Sequence, residues 1–204
     1  MKYRNIVFDV GNVLVDFCYM KYMKHLGFSD ETAELFGSQL VVSDVWNDMD
    51  KGLFLMDEAK KIFKERLKGY ESEIDLFFEK IAGIVEEYDY SAPMLKKLKE
   101  LGYNVYILSN YPKDMAELHW KNFKFLKEVD GYIISAFEKK VKPDRKIYDL
   151  LTERYKAELS ESIFVDDRQV NIDAANAYGM KGVLFKDYES LKADLLDQFG
   201  IDLS

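Results

Sequence analysis

The residues best suited to chemistry each follow a short apolar run. Asp9 comes directly after Ile6-Val7-Phe8, and Gly11 and Asn12 then interrupt the chain. A continuous apolar run that ends in turn residues is typical of a strand buried on both faces. We therefore expect Asp9 at the carboxyl end of a buried strand, where open α/β sheets bind ligands. Taken alone, Asp9 fits a simple turn residue equally well.

Three further polar groups stand in the same relation to apolar runs. They are Ser109-Asn110 after Val105 to Leu108, Lys142 in the loop after Gly131 to Ser135, and Asp166-Asp167 after Ser162 to Val165. Taken singly, these groups fit a helix cap, a solvated charge and a turn. Together with Asp9 they supply three carboxylates, a hydroxyl and a cation, and chance is a poor explanation for that combination.

This set of side chains suits phosphoryl transfer. Two carboxylates about 4 Å apart repel by roughly 4 kcal/mol at an effective dielectric near 20, and a divalent cation relieves that repulsion. Mg²⁺ prefers oxygen ligands and is the usual ion beside phosphates. Lys142 and Ser109 would hold an anion, and a helix that opens near Pro112 would add backbone N–H donors. A carboxylate in line with phosphorus can attack it and form an aspartyl-phosphate.

The elements that must position these residues alternate along the chain. From Ser91 onward, apolar strands alternate with amphipathic helices, and Ser91 with Pro93 is typical of a capped helix start. Alternation of this kind predicts an α/β fold with a Rossmann-like, doubly wound parallel sheet. In a parallel sheet all carboxyl ends lie on one edge, so Asp9, Ser109 and Asp166 should meet there.

The segment between the first strand and Ser91 has a different pattern. Apolar residues recur at helical spacing, most clearly in the runs from Met56 to Leu67 and from Ile74 to Val85. We predict an all-helical cap of four or five helices over residues 17–90, inserted after the first strand. Residues 1–16 and 91–204 would then form the α/β core.

Composition limits the class of partner. The chain has 204 residues, a net charge of −8 and a sequence pI near 5.0, which argues against nucleic acid and anionic membranes as main partners. The single cysteine, Cys18, excludes an intramolecular disulfide and fits a reducing compartment. We see no signal peptide or membrane span and expect a cytoplasmic monomer or homodimer.

Four motifs in order make the chain resemble the haloacid dehalogenase-like (HAD) hydrolase superfamily. The motifs are Phe8-Asp9-Val10-Gly11-Asn12-Val13, Leu108-Ser109-Asn110, Lys142-Pro143-Asp144, and Phe164-Val165-Asp166-Asp167 with Asn171. They span the whole core, and the helical insertion resembles a cap of this superfamily. Asp-x-Gly-Asn-Val, the region of Trp120 and Lys-Pro-x-x-x-Ile-Tyr most resemble the glucose-1-phosphate phosphatase-like branch.

The resemblance implies a role for each matched residue. Asp9 would be the nucleophile and a Mg²⁺ ligand, and the backbone carbonyl of Gly11 a second ligand. Ser109 and the backbone of Asn110 would bind phosphate. Lys142 would neutralise Asp9 and the phosphoryl group. Of the acidic pair, Asp167 is the expected direct ligand, with Asp166 either direct or one shell further out, and the two roles are interchangeable at this stage.

One position departs from the family pattern. Most phosphatases of this superfamily have a second aspartate two residues after the nucleophile, and it protonates the leaving oxygen; this chain has Gly11. A positioned acid contributes roughly 10²–10⁴ in rate. Three explanations are open: a different residue serves, the leaving group needs little help (as in an anomeric, aryl or acyl phosphate), or the protein is a weak catalyst. From the sequence alone the second is favoured. The candidate replacements are Asp16, Asp48, Asp50 and His119.

We therefore expect a Mg²⁺-dependent phosphatase of a small phosphorylated metabolite, with a sugar phosphate as one candidate. The alternatives are a 2-haloacid dehalogenase, which uses the same aspartate without a metal, and a non-enzymatic phosphate-binding or regulatory protein. Specificity should lie in the cap. Trp46, Asp48, Asp50 and Gly52 form a polar break there, which either faces the crevice or is a core tryptophan beside solvated acids.

Overall fold

The computed structural model of the protein describes residues 2–203. Its strands there are β1 Asn5–Phe8, β2 Val15–Asp16, β3 Glu86–Glu87, β4 Asn104–Ser109, β5 Gly131–Ile134, β6 Ser162–Asp166 and β7 Lys181–Leu184. Five of them form a parallel sheet in the order β5-β4-β1-β6-β7, and β2 pairs with β3. β1 lies at the centre, with Val7 opposite Tyr106 of β4 and Phe164 of β6. The predicted α/β fold with a parallel sheet is confirmed.

Helices cover both faces of this sheet. They are α1 Tyr19–His25, α2 Asp30–Phe36, α3 Asp44–Asp50, α4 Met56–Arg66, α5 Glu71–Glu79, α6 Ser91–Glu100, α7 Lys113–His119, α8 Ser135–Glu138, α9 Arg145–Tyr155, α10 Gln169–Ala177 and α11 Tyr188–Phe199. Successive strand residues point to opposite faces. Val7 therefore belongs to the apolar cluster that includes α9 and α10, whereas Ile6 and Phe8 belong to the cluster that includes α6 and α11.

The segment between β1 and α6 is helical and has its own aromatic packing. Phe36 of α2, Phe63 of α4 and Phe77 of α5 are fully buried, and the rings of Phe36 and Phe77 meet edge to face at 6.2 Å. One detail differs from the expected helices, because Glu86–Glu87 pairs antiparallel with Val15–Asp16. Two-residue strands are too short to show the alternation by which a strand is recognised in a sequence.

Several element boundaries also differ from the sequence-based expectation. Ser91 does not cap α6, because its hydroxyl donates to the carbonyl of Leu14 at 2.7 Å. The helix expected to open near Pro112 begins at Lys113 and ends at His119. Lys142 lies in a loop, as expected, and α9 begins at Arg145, where the Asp144 side chain accepts from the N–H of Lys146 at 3.0 Å. Between residues 2 and 203, every helix falls short of the length and apolar character that crossing a bilayer requires.

Candidate active site

Asp9 follows β1 at the carboxyl edge of the sheet, as predicted. Its N–H continues the strand ladder by donating to the carbonyl of Val165 at 2.9 Å, which fixes the backbone. Its Oδ1 accepts from the N–H of Val10 at 2.7 Å and lies 2.9 Å from the Nζ of Lys142. The Asp9 side chain is thus held between the Val10 N–H and the Lys142 ammonium group at the carboxyl edge of the sheet.

Lys142 joins Asp9 to Asp166. Its Nζ lies 2.7 Å from Asp166 Oδ2, and the residue is only 4% exposed. Asn110 holds the lysine from the neighbouring strand end, since its side-chain amide donates to the Lys142 carbonyl at 3.0 Å and accepts from the Lys142 N–H at 2.8 Å. Asn110 thus fixes both the N–H and the carbonyl of Lys142, which keeps the ammonium group directed at the two carboxylates.

The two acids after β6 have different surroundings. Asp166 is fully buried and also accepts from the Arg168 N–H at 2.8 Å and from the Asn171 amide at 2.9 and 3.0 Å. Asp167 is partly exposed in the cavity and accepts from the side-chain amide of Asn12 at 3.0 Å. Asp166 is therefore occupied by protein donors, whereas Asp167 retains oxygen available to a ligand.

Asn12 aligns Asp167 through a left-handed backbone conformation. Its φ is 56°, a region that asparagine tolerates better than most residues. Its side-chain oxygen accepts from the N–H of Phe17 at 3.2 Å while its amide donates to Asp167. The sequence motif included Asn12 but indicated no role for it.

The electrostatics of this cluster are unbalanced. Burial raises the pKa of Asp9 to about 6; Lys142 opposes this rise, and the negative charges of Asp166 and Asp167 add to it. Burial also raises the pKa of Asp167, against the Asn12 hydrogen bond. Burial alone would lower the pKa of Lys142, but the two carboxylates it contacts outweigh that effect and raise it. Lys142 contacts only two of the three carboxylates, so negative charge is in excess in this cluster.

The donor set fits a divalent metal ion. One oxygen from each of Asp9, Asp166 and Asp167 lies within 4.8 Å of the others. Hard oxygen ligands and excess negative charge are what Mg²⁺ requires. Gly11, whose carbonyl was predicted as a further ligand, lines the same cavity as Asp9 and Asp167. The predicted metal-binding residues are therefore together in space.

A cavity of about 150 Å³ opens over these residues. Besides Asp9, Lys142 and Asp167, the lining comes from the inserted segment and from the segments that follow β1, β4 and β6. These residues are Gly11, Asn12, Phe17, Trp46, Asp50, Val85, Asn110, Tyr111, Pro112, Met115, Arg168 and Asn171. Trp46 is both buried in the core and part of this lining. The volume suits a small phosphorylated group rather than a macromolecule.

Not every predicted residue lies in that lining. Ser109 is buried at the end of β4, and its Oγ makes one long contact of 3.5 Å to the Asn110 carbonyl. Asp48 pairs with Lys51 at 2.8 Å. Asp16 lines a different cavity, and the buried His119 bonds to the Tyr111 hydroxyl at 2.7 Å. Sequence reasoning missed Phe17, Tyr111 and Arg168 as lining residues. Each lies within two residues of a strand end, but none occupies a position of a recognised motif.

The fold and the site define a Rossmann-like α/β protein with a carboxylate–lysine centre at the carboxyl edge of its sheet. The chain belongs to the haloacid dehalogenase-like hydrolases, whose family model matches residues 3–179. This finding confirms the superfamily expected from the four motifs. It does not establish the glucose-1-phosphate phosphatase-like branch.

Curated relatives carry out more than one chemistry. The chain is 28% identical over 152 residues to a sesquiterpene phosphatase of Aspergillus oryzae, covering 72% of this chain and 76% of the relative. It is 27% identical over 165 residues to a chloroplast flavin mononucleotide hydrolase of Arabidopsis thaliana, at 78% and 64% coverage. It is also 26% identical over 192 residues to an (S)-2-haloacid dehalogenase of Burkholderia cepacia, at 88% and 81% coverage.

Solved structures of similar proteins share the fold. A HAD family enzyme of Bacteroides thetaiotaomicron, in complex with magnesium and inorganic phosphate, superposes with a TM-score of 0.71 at 24% identity, covering 93% of this chain and 98% of that one. An L-2-haloacid dehalogenase of Xanthobacter autotrophicus with chloropropionic acid covalently bound gives 0.69 at 18% identity, with 98% and 84% coverage.

Proposed function

We propose that the protein is a Mg²⁺-dependent phosphatase that hydrolyses a small phosphate monoester through an aspartyl-phosphate on Asp9. One observation carries the proposal: Asp9, Asp166 and Asp167 each place an oxygen within 4.8 Å of the others beside buried Lys142. A carboxyl group that only attacked carbon would not need two further carboxylates at this distance. The phosphatase and the flavin mononucleotide hydrolase among the relatives support the same class of reaction.

The proposed binding roles follow from the surroundings of each side chain. Asp9, the Gly11 carbonyl and Asp167 would hold the ion, with Asp166 either a ligand or a support for Lys142. Bound Mg²⁺ would neutralise charge on the phosphoryl oxygens. Lys142 would neutralise the same group from the other side. Ser109 and the Asn110 backbone would bind phosphate, and the Asn110 side chain would keep the lysine in place.

The proposed reaction has two displacements at phosphorus. A carboxylate oxygen of Asp9 attacks phosphorus, the bond to the ester oxygen breaks, and the alcohol leaves with a proton. Water then attacks the aspartyl-phosphate, the bond between phosphorus and Asp9 breaks, and inorganic phosphate leaves. Lys142 stays protonated throughout, since the carboxylates that it contacts raise its pKa.

Haloacid dehalogenation is the competing reaction, because it uses the same aspartate without the acid that Gly11 lacks. A screen of phosphate monoesters, sugar phosphates among them, measured with Mg²⁺ and with EDTA, separates the two reactions. We expect phosphate release that requires Mg²⁺, is lost in Asp9→Asn and is accompanied by a trapped phosphoryl group on Asp9. Halide release from a 2-haloacid that survives EDTA would overturn the proposal.

Asp173→Asn is the matched control for the Asp9→Asn variant. Asp173 is exposed on α10, where its carboxylate accepts from Gln169 at 2.7 Å. This variant makes the same chemical change away from the cavity, and we expect its phosphatase activity to equal that of the wild type. Phosphate binding without turnover, and without phosphorylation of Asp9, would instead support a binding or regulatory protein.

Three further parts of the sequence-based prediction belong to this proposal. Residues 17–90 act as the cap over the site, with 1–16 and 91–204 as the catalytic core. The glucose-1-phosphate phosphatase-like branch makes sugar phosphates the first substrates to screen. The protein works in the cytoplasm, as a monomer or homodimer.

A further inference from the structure

The proposed reaction needs a proton for the leaving oxygen, and Gly11 cannot supply one. The cavity over Asp9 has a contribution from the inserted helices, namely Trp46 and Asp50 of α3. Asp50 is the last residue of that helix, and its side chain lines the same cavity as Asp9.

The end of α3 is fixed against the sheet edge by two contacts. Ser135 donates its hydroxyl to the Asp50 carbonyl at 2.5 Å and accepts from the Tyr111 N–H at 2.9 Å. Gly52, with φ of 67°, lies so close to α8 that an added Cβ would come within 2.2 Å of the Ala136 carbonyl oxygen. The backbone that carries Asp50 is therefore held in a fixed position next to the ends of β4 and β5.

One carboxyl oxygen of Asp50 is left without a partner in this position. Its Oδ1 is buried and, among the described residues, has no hydrogen-bond partner. Buried carboxyl oxygens normally pair, because leaving one unpaired costs free energy. An unpaired polar atom beside a substrate cavity is most simply explained if the substrate completes its hydrogen bonding.

We propose that Asp50 is the general acid of the reaction, donating the leaving-group proton from α3 in place of the acid that Gly11 lacks. The inference rests on the phosphatase function proposed above. As Asp9 attacks and the ester P–O bond breaks, the proton of the Asp50 carboxyl passes to the departing oxygen, which leaves as an alcohol. In the second displacement the Asp50 carboxylate takes a proton from the attacking water, which restores the acid.

Burial and the charge of Asp9 keep Asp50 partly protonated near neutral pH. Burial, followed by the negative charge of Asp9, raises the pKa of Asp50 to about 7, while Lys142, Arg168 and Lys51 act in the opposite direction. A general acid is most effective when its pKa lies near the working pH. The carboxyl group is thus both protonated often enough and acidic enough to transfer its proton.

The other candidate acids are excluded by their positions. Asp48 faces Lys51, and Asp16 lies 3.7 Å from Lys21 beside another cavity. His119 lines a separate cavity as well, and burial lowers its pKa, which disfavours the protonated form that would donate. Of the four residues considered from the sequence, Asp50 is the one that lines the cavity of Asp9.

A leaving-group series tests the assignment. Initial rates for Asp50→Asn and wild type are compared on an alkyl phosphate, a phenyl phosphate and 2,4-dinitrophenyl phosphate with saturating Mg²⁺. We expect kcat/KM on the alkyl ester to fall by about 10²–10³-fold in the variant, because its leaving oxygen needs the proton. The dinitrophenyl ester, whose leaving group departs as an anion, should lose less than about tenfold. The fall in rate at high pH should also disappear from the pH profile.

Two further variants make the result decisive. Asp48→Asn makes the same change two residues away, outside the cavity, and should match the wild type on all three esters. Asp50→Glu keeps the acid and should recover part of the alkyl phosphate activity. An equal loss on every ester in Asp50→Asn, or no loss on the alkyl ester, overturns the assignment to Asp50. If Asp9→Asn still abolishes turnover in that case, the phosphatase proposal stands; a wild type inactive on all three esters overturns both.

Discussion

Lys142 is the residue on which the charge balance of the site depends. It is buried between Asp9 and Asp166, at 2.9 and 2.7 Å. Removing one member of a buried ion pair leaves an uncompensated charge, which costs far more than the pair contributed. The lysine thus holds the acidic cluster together, in addition to the phosphate binding proposed for it.

We predict that Lys142→Met lowers the free energy of unfolding by about 3 kcal/mol in EDTA. Phosphatase activity should fall by about 10²–10³-fold, because a cation aimed at the phosphoryl group is lost. Urea unfolding and initial rates measure the two effects. Lys146→Met, at an exposed position on α9, is the matched control. A Lys142→Met protein as stable as this control would show that the neighbouring carboxyl groups are protonated in the native state.

The positions of the reactive residues could be predicted from the sequence, but their partners could not. Asp9 and Asp166 each lie at the end of an apolar run, and parallel strands end on one edge, so their convergence followed from local pattern and topology. The bonds from Asn12 to Asp167 and from Asn110 to Lys142 join side chains distant in sequence. Their directions depend on backbone conformations, such as the positive φ of Asn12, that periodicity does not report.

At the scale of elements, the contact between α3 and α8 decides how the inserted helices meet the sheet. α8 spans Ser135–Glu138 and was not expected, because four residues carry too little periodicity to indicate a helix. Ser135 nevertheless links the Tyr111 backbone to the Asp50 carbonyl. The larger helices were predictable from their apolar stripes, whereas this short connection arises only when the sheet edge is assembled.

We predict that Gly52→Ala disrupts this contact and lowers kcat/KM for an alkyl phosphate by about tenfold or more, because the added Cβ must displace the Ala136 carbonyl. Gly69→Ala is the matched control, since Gly69 also has a positive φ but open space at its Cβ. Both variants should lose about 1 kcal/mol through backbone strain, with a further loss in Gly52→Ala. Equal activity in the two variants would show that the fit of α3 against α8 is unimportant for catalysis.

Across the whole molecule, ionisation of the acidic cluster lowers the stability of the folded chain. Asp9 and Asp50 have pKa values of about 6 and about 7 in the folded chain, against 3.8 for an ordinary aspartate. At pH values between 3.8 and about 6 or 7, the folded form still binds protons that the unfolded form has released. Stability from these groups is therefore fully present below about pH 4 and is lost as the pH rises through 6 and 7. These carboxyl groups therefore contribute least to the stability of the folded chain near neutral pH, where the site is proposed to work.

We predict that Mg²⁺ reverses this trend. At saturating concentration it should raise the free energy of unfolding by about 1–3 kcal/mol at about pH 7.5, because it binds the native carboxylates and not the unfolded chain. At about pH 5 the increment should be much smaller, since the ion must then displace the proton of Asp9. Urea titrations with Mg²⁺ and with EDTA at both pH values measure the difference. Asp167→Asn should abolish the increment while Asp173→Asn keeps it, and a metal effect that is the same at both pH values would place the ion away from Asp9.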